Sequence, residues 1–141
     1  MEENKFVICD LDGTLCLFEK EDKSKPNYRS PYNASTCEND ILNEVVAGII
    51  KDKNVIFVSG REDVYRGPTL RFLEKHNIVF QKLFMRKTGD NRKDSIIKEE
   101  IYRNLIEPNY NIEFVLDDRN QVVDMWRRIG LTCLQVADGN F

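Results

Sequence analysis

The sequence has 141 residues, which at about 150 residues per domain is one domain. Hydrophobic residues make up 41% and aromatic residues 10%, a composition that excludes a disordered tail and permits one proper core. With 21 basic and 24 acidic side chains the net charge is −3, which excludes gripping nucleic acid by bulk positive charge but leaves room for a local basic cleft.

Phe6-Val7-Ile8-Cys9 is an unbroken apolar run, the pattern of a strand buried on both faces. Leu15 to Asn39 is polar and carries Pro26 and Pro31. A loop this long in a small domain reads as a small flap or cap beside a site, with no hydrophobic core of its own. From about Asp40 to Lys51, the residues Ile41, Leu42, Val45, Val46, Ile49 and Ile50 recur at helical spacing, with Ser35 and Glu38 as a capping box. Val55-Ile56-Phe57-Val58 reads as a second buried strand, and Pro68 stands near the start of a helix that runs to about His76. Lys82 to Met85 is a weaker third strand. Lys93 to Ile106 places Ile97, Ile101 and Leu105 on one face of an amphipathic helix closed by Pro108. Ile112 to Leu116 is a fourth strand. Val122, Met125, Trp126 and Ile129 mark a last helix with Gly130 as its cap, and Thr132 to Ala137 is a fifth strand. This alternation predicts an α/β fold: a single Rossmann-like domain over 1–141, with a mostly parallel five-stranded sheet, helices on both faces and a small flap at 15–39.

No apolar run approaches the roughly 20 residues needed to cross a bilayer. Met1 to Lys5 is acidic-leaning and leads straight into the first strand, unlike a signal peptide. Cys9, Cys16, Cys37 and Cys133 form no C-x-x-C pair, and His76 is the only histidine that could complete a zinc site. They read as free thiols of a reducing cytoplasm, which is the expected location.

Ligands of open parallel sheets bind outside the carboxyl ends of the strands. Here the first strand runs into Asp10-Leu11-Asp12-Gly13-Thr14, the second into Ser59-Gly60-Arg61, and the fourth into Asp117-Asp118-Arg119. Gly89-Asp90-Asn91-Arg92-Lys93-Asp94 leads into the long helix and adds Lys93. Carboxylates gathered this way repel one another unless a cation or protons compensate, and oxygen ligands favour a hard cation such as Mg²⁺. A cation with lysine, arginine and a hydroxyl suits a phosphate dianion. One aspartate can attack phosphorus while its neighbour two residues on handles the proton. Each motif alone has a plainer reading: an Asx turn for Asp10 to Thr14, a helix cap for Asp117-Asp118, a turn for Ser59-Gly60, a solvated helix residue for Lys93. It is their convergence at one sheet edge that favours a site. Trp126 reads as core and His76 as a helix-end cation, while Phe18, Tyr28 and Tyr32 either stack on a base or pin the flap.

In order, Asp10-Leu11-Asp12-Gly13-Thr14, Ser59, Lys93 and Asp117-Asp118 resemble the four signatures of the haloacid dehalogenase superfamily of phosphohydrolases. The run Asp117 to Gly130, with Ser59-Gly60-Arg61-Glu62, Gly89 to Asp94, Arg29-Ser30-Pro31-Tyr32 and Gln135 to Phe141, is similar to the 3′-phosphatase domain of bacteriophage polynucleotide kinase/phosphatase. The sequence has no G-x-x-x-x-G-K-[S/T] loop, so the kinase half has no counterpart in it.

The resemblance implies a Mg²⁺-dependent 3′-phosphatase of DNA or RNA ends, acting in nucleic-acid repair through an aspartyl-phosphate, with 2′,3′-cyclic phosphate as a further substrate. It implies that Asp10 attacks, that Asp12 protonates the leaving oxygen and then activates water, and that Asp10, the Asp12 carbonyl, Asp117 and Asp118 hold Mg²⁺. Ser59 and Lys93 bind phosphate, and Lys93 also offsets the charge on Asp10. Arg29, Gly60, Arg61, Asp90 and Arg92 face substrate or support the site. A separate kinase or ligase is the implied partner, no membrane is involved, and self-assembly is left open. Two other readings remain: the same chemistry on mononucleotides or other small phosphomonoesters, and a non-catalytic end-binding module. Asp10, Asp12 and Lys93 count against the last, since a binder needs no nucleophile.

Overall fold

The computed structural model describes residues 4–141; of the N-terminal stretch read against a signal peptide, Met1 to Glu3 lie outside them. The strands β1 (Lys5–Cys9), β2 (Cys16–Leu17), β3 (Ile41–Leu42), β4 (Asn54–Glu62), β5 (Lys82–Arg86), β6 (Asn111–Asp117) and β7 (Cys133–Gln135) alternate with the helices α1 (Glu44–Ile50), α2 (Arg66–Lys75), α3 (Asp94–Ile101) and α4 (Asn120–Arg128). Five strands form one sheet in the order β5-β4-β1-β6-β7, and every pairing in it is parallel. The chain leaves β1 toward β4 and β5, then crosses back to β6 and β7. The direction of winding therefore reverses at β1, and the carboxyl end of β1 opens into the crevice where such folds bind ligands.

Alternation along β1 assigns the two faces. Val7 and Cys9 join Val46, Ile50, Phe72 and Leu73 of α1 and α2, while Ile8 joins Tyr102, Ile106, Val122, Met125 and Trp126 on the side of α3 and α4. The sheet is thus covered on both faces, which is why its central strands read as continuous apolar runs. Among the described residues no helix is long and apolar enough to cross a membrane.

Three local expectations are corrected. The helix expected from Asp40 begins only at Glu44, because Ile41 and Leu42 pair antiparallel with Leu17 and Cys16. Its cap is the Asn43 side chain, which accepts from the N–H groups of Val45 and Val46, rather than a Ser35–Glu38 box. The helix expected over 93–106 is α-helical to Ile101 and then widens into a π turn, Tyr102–Ile106. There the Glu107 N–H donates five residues back to the Tyr102 carbonyl. The extra residue in the turn rotates the face, so that Ile106 is buried and Leu105 is 45% exposed.

Candidate active site

Asp10 leaves β1 at the sheet's carboxyl edge and is buried. One of its oxygens, Oδ1, accepts from Lys98 Nζ at 2.8 Å, and Oδ2 accepts from Thr14 Oγ1 at 2.9 Å. Asp117 ends β6 beside it. Its Oδ2 accepts from Lys98 Nζ at 3.0 Å and from the Trp126 indole N–H at 3.2 Å, and its Oδ1 from the Asp118 and Arg119 N–H groups at 2.8 and 3.3 Å. The Asp118 side chain, by contrast, accepts among the described residues only a 3.3 Å contact from Thr14 Oγ1. Oxygens of Asp10, Asp117 and Asp118 lie within 4.8 Å of one another, the one group among the described residues arranged to hold a metal ion.

Three carboxylates therefore face one buried ammonium. Burial and then the Asp117 charge push the Asp10 carboxyl well above its usual range, with Lys98 pulling the other way. Burial likewise raises Asp118. The donor set is all oxygen and carries surplus negative charge, which fits a hard divalent cation.

Asp12 is held differently. Its Oδ1 accepts from Arg29 Nη2 at 2.7 Å and from Arg61 Nη2 and Nε at 2.6 and 2.9 Å. All three bonds fall on Oδ1, so Oδ2 is left for the cleft. Burial disfavours its charge, but Arg61 and Arg29 together hold the carboxyl below its usual value. The two guanidiniums are fixed from behind by Asp40, which takes Arg29 in a two-pronged pair at 2.9 and 2.8 Å. Arg61 Nη1 donates to Thr69 Oγ1 of α2 at 2.9 Å. The Phe18 ring covers the Arg29 guanidinium at 3.7 Å. The flap is thus pinned to the domain by charge: Arg29, though in an irregular segment, is only 4% exposed.

The other expected residues divide. Ser59 is buried on β4 and its Oγ accepts from the Arg61 N–H. Gly60 follows it, and a Cβ there would meet Asp94 Oδ1 at 2.0 Å. Asp90 and Arg92 line the cleft but are committed to each other and, through Arg92, to Glu100. Lys93 does not touch Asp10. It is the exposed residue just ahead of α3, while the lysine against Asp10 and Asp117 is Lys98, one turn into that helix and 1% exposed. Lys98 and Asp40 are the buried, ion-paired residues of this cluster that the sequence reading did not single out. Lys98 had a signal, since a helix with Ile97, Ile101 and Tyr102 inward carries residue 98 on the same arc.

Residues 4–141 match the family described as the polynucleotide kinase PNKP phosphatase domain. The chain belongs to this family. It is 35% identical over 127 residues to a putative bifunctional polynucleotide kinase/RNA ligase of Autographa californica nuclear polyhedrosis virus, covering 86% of the chain and 17% of that protein. It also resembles a chain of a solved Pnkp1/Rnl/Hen1 RNA repair complex, with TM-score 0.89, 51% identity and 99% of this chain matched to 44% of that one. A second structure of a Pnkp1/Rnl/Hen1 complex gives 0.88, 50%, 99% and 48%. The chain therefore spans less than half the length of each of these relatives. The haloacid-dehalogenase-type fold and the membership in the phosphatase-domain family agree with the resemblance read from the motifs.

Proposed function

We propose that this phosphatase domain removes the 3′-phosphate from polynucleotide ends by way of an aspartyl-phosphate on Asp10. The observation that carries the reading is a buried carboxylate, oriented by Lys98 and Thr14, at the floor of an open cleft of about 740 Å³ lined by the flap and the segment 86–94. Asp10 and Asp118, with the Asp12 backbone carbonyl, would hold Mg²⁺, whose charge would bring a carboxylate and a phosphate dianion together. Asp117 spends both oxygens on Lys98, Trp126 and two backbone N–H groups, which supports an orienting role for it.

An oxygen of Asp10 attacks phosphorus while the bond to the sugar 3′-oxygen breaks. Asp12, in the protonated fraction that Arg29 and Arg61 keep small, delivers its proton to that oxygen. Asp12 then takes a proton from water, the water oxygen attacks phosphorus, and the bond to Asp10 breaks to release inorganic phosphate. Arg29 and Arg61 aim Asp12 for both steps, and Ser59 with Lys98 meets the phosphoryl oxygens. The relatives are named for RNA repair and RNA ligation, which supports RNA ends as substrate and a kinase or ligase as the companion activity. Four free buried thiols favour a reducing compartment, the cytoplasm.

The test compares rates on a 3′-phosphorylated oligonucleotide, a 5′-phosphorylated oligonucleotide and a 3′-mononucleotide, in Mg²⁺ and in EDTA. Preference for the 3′-phosphorylated oligonucleotide with loss in EDTA is expected. Preference for the 5′ end or the mononucleotide, or turnover undiminished in EDTA, overturns the proposal.

A further inference from the structure

The flap presents three aromatic side chains, and the structure separates their roles. Phe18 lies on Arg29 and so belongs to the clamp on Asp12. Tyr28 is not among the residues that line the cleft. Tyr32 does line it and is 89% exposed, with no ring partner or hydroxyl hydrogen bond among the described residues. Its backbone is nevertheless anchored. Its N–H donates to Ser30 Oγ at 3.1 Å, Pro31 precedes it, and Arg29, three residues back, is tied to Asp12 and Asp40. An aromatic face is thereby presented to the cleft with nothing covering it.

Two cations share that cleft. Lys20 belongs to the flap and Lys93 to the segment ahead of α3; both line the cleft, neither has an ion-pair partner among the described residues, and Lys20 Nζ lies over the Phe141 ring at 4.6 Å. Arg92, by contrast, is committed to Asp90 and Glu100. An acidic cluster that needs a cation, with two ammonium groups outside any ion pair and an exposed ring lining the same cleft, is the distribution suited to a strand whose terminal phosphate enters first and whose backbone and bases remain outside.

We infer that Tyr32, Lys20 and Lys93 form a second nucleotide subsite, in which the base on the 5′ side of the phosphorylated terminal nucleotide stacks on Tyr32 and the intervening phosphodiester lies between the two lysines. The inference rests on the polynucleotide reading and names the contact by which a polymer end is told from a free nucleotide. It gives Lys93, which makes no bond to Asp10, a task in the cleft.

The experiment measures kcat/KM on a 3′-phosphorylated trinucleotide and on a 3′-mononucleotide, for the unmutated protein, Tyr32→Ala and Tyr32→Phe. The ratio of the two values is expected to fall about tenfold in Tyr32→Ala, within the range of base–aromatic stacking, and to recover in Tyr32→Phe, which keeps the ring. Lys20→Ala and Lys93→Ala are each expected to flatten the dependence of log KM on log salt by about 0.7. Three outcomes overturn the subsite alone: an oligonucleotide preference that persists unchanged in Tyr32→Ala, an equal loss on both substrates, and salt slopes unchanged in both lysine variants. An unmutated protein that handles the mononucleotide as well as the trinucleotide overturns the subsite and the polynucleotide reading together.

Discussion

Replacing Lys98 by methionine tests how the acid cluster is held. Methionine keeps the length and most of the volume of the side chain, so packing changes little. What is lost is the ammonium that bonds Asp10 at 2.8 Å and Asp117 at 3.0 Å from a position 1% exposed. Removing one partner of a buried pair leaves uncompensated charge and costs about 3–5 kcal/mol. A small domain has only about 5–15 kcal/mol in all. The expected result in EDTA is a large fall in the urea midpoint at unchanged slope. Mg²⁺ should recover part of this, because an ion at Asp10 and Asp118 offsets the same charge. Turnover is expected to fall by about 10²–10³ even in saturating Mg²⁺, since one charge facing the phosphoryl oxygens is gone. Lys93→Ala is the paired control: it is exposed, and its stability should stay within about 0.5 kcal/mol of the unmutated protein. Turnover abolished by Lys93→Ala at saturating substrate, with Lys98→Met left active, would refute the assignment of the neutralising lysine to α3.

The other predictions follow from single contacts. Asp10→Asn is expected to eliminate hydrolysis while the fold persists, checked by phosphate release alongside circular dichroism. Chelation should abolish turnover and readdition of Mg²⁺ restore it. Gly13 has φ +79°, and a Cβ there would come within 2.2 Å of Asp118 Oδ2. Gly13→Ala should therefore displace that carboxylate and weaken the Mg²⁺-dependent rise in melting temperature before it unfolds the protein. Trp126→Phe keeps a buried ring but removes the N–H on Asp117 Oδ2. The cost is expected at about 1.5–3 kcal/mol by urea titration, as for a hydrogen bond to a charged group, together with a higher Mg²⁺ concentration for half-maximal activity.

What could be read from the sequence, and what could not, follows the range of the forces involved. The sheet was legible because burial on both faces writes itself as continuous runs such as Val55 to Val58, and the carboxyl edge was legible because Asp10 and Asp117 stand at strand ends, although β4 continues past Ser59 to Glu62. Periodicity fails where a tertiary partner overrides it. Ile41 and Leu42 fit a helix, yet pair with Leu17 and Cys16. Leu105 fits the buried stripe, yet a π turn gives its place to Ile106. The flap looked coreless because its anchor is ionic: Arg29 bonds Asp12 and Asp40, 17 and 11 residues away in the chain, and no local pattern announces such a pair. Lysine posed the hardest case. Lys93 adjoins a loop rich in polar residues and so looks available, whereas Lys98 stands on an apolar arc where a charge is costly. Burial there is tolerable only against opposite charge, and Asp10 and Asp117 supply it from two other elements. A lysine on the inward face of an amphipathic helix, in a chain whose strands end in aspartates, is therefore a stronger candidate for the site than one beside the loop.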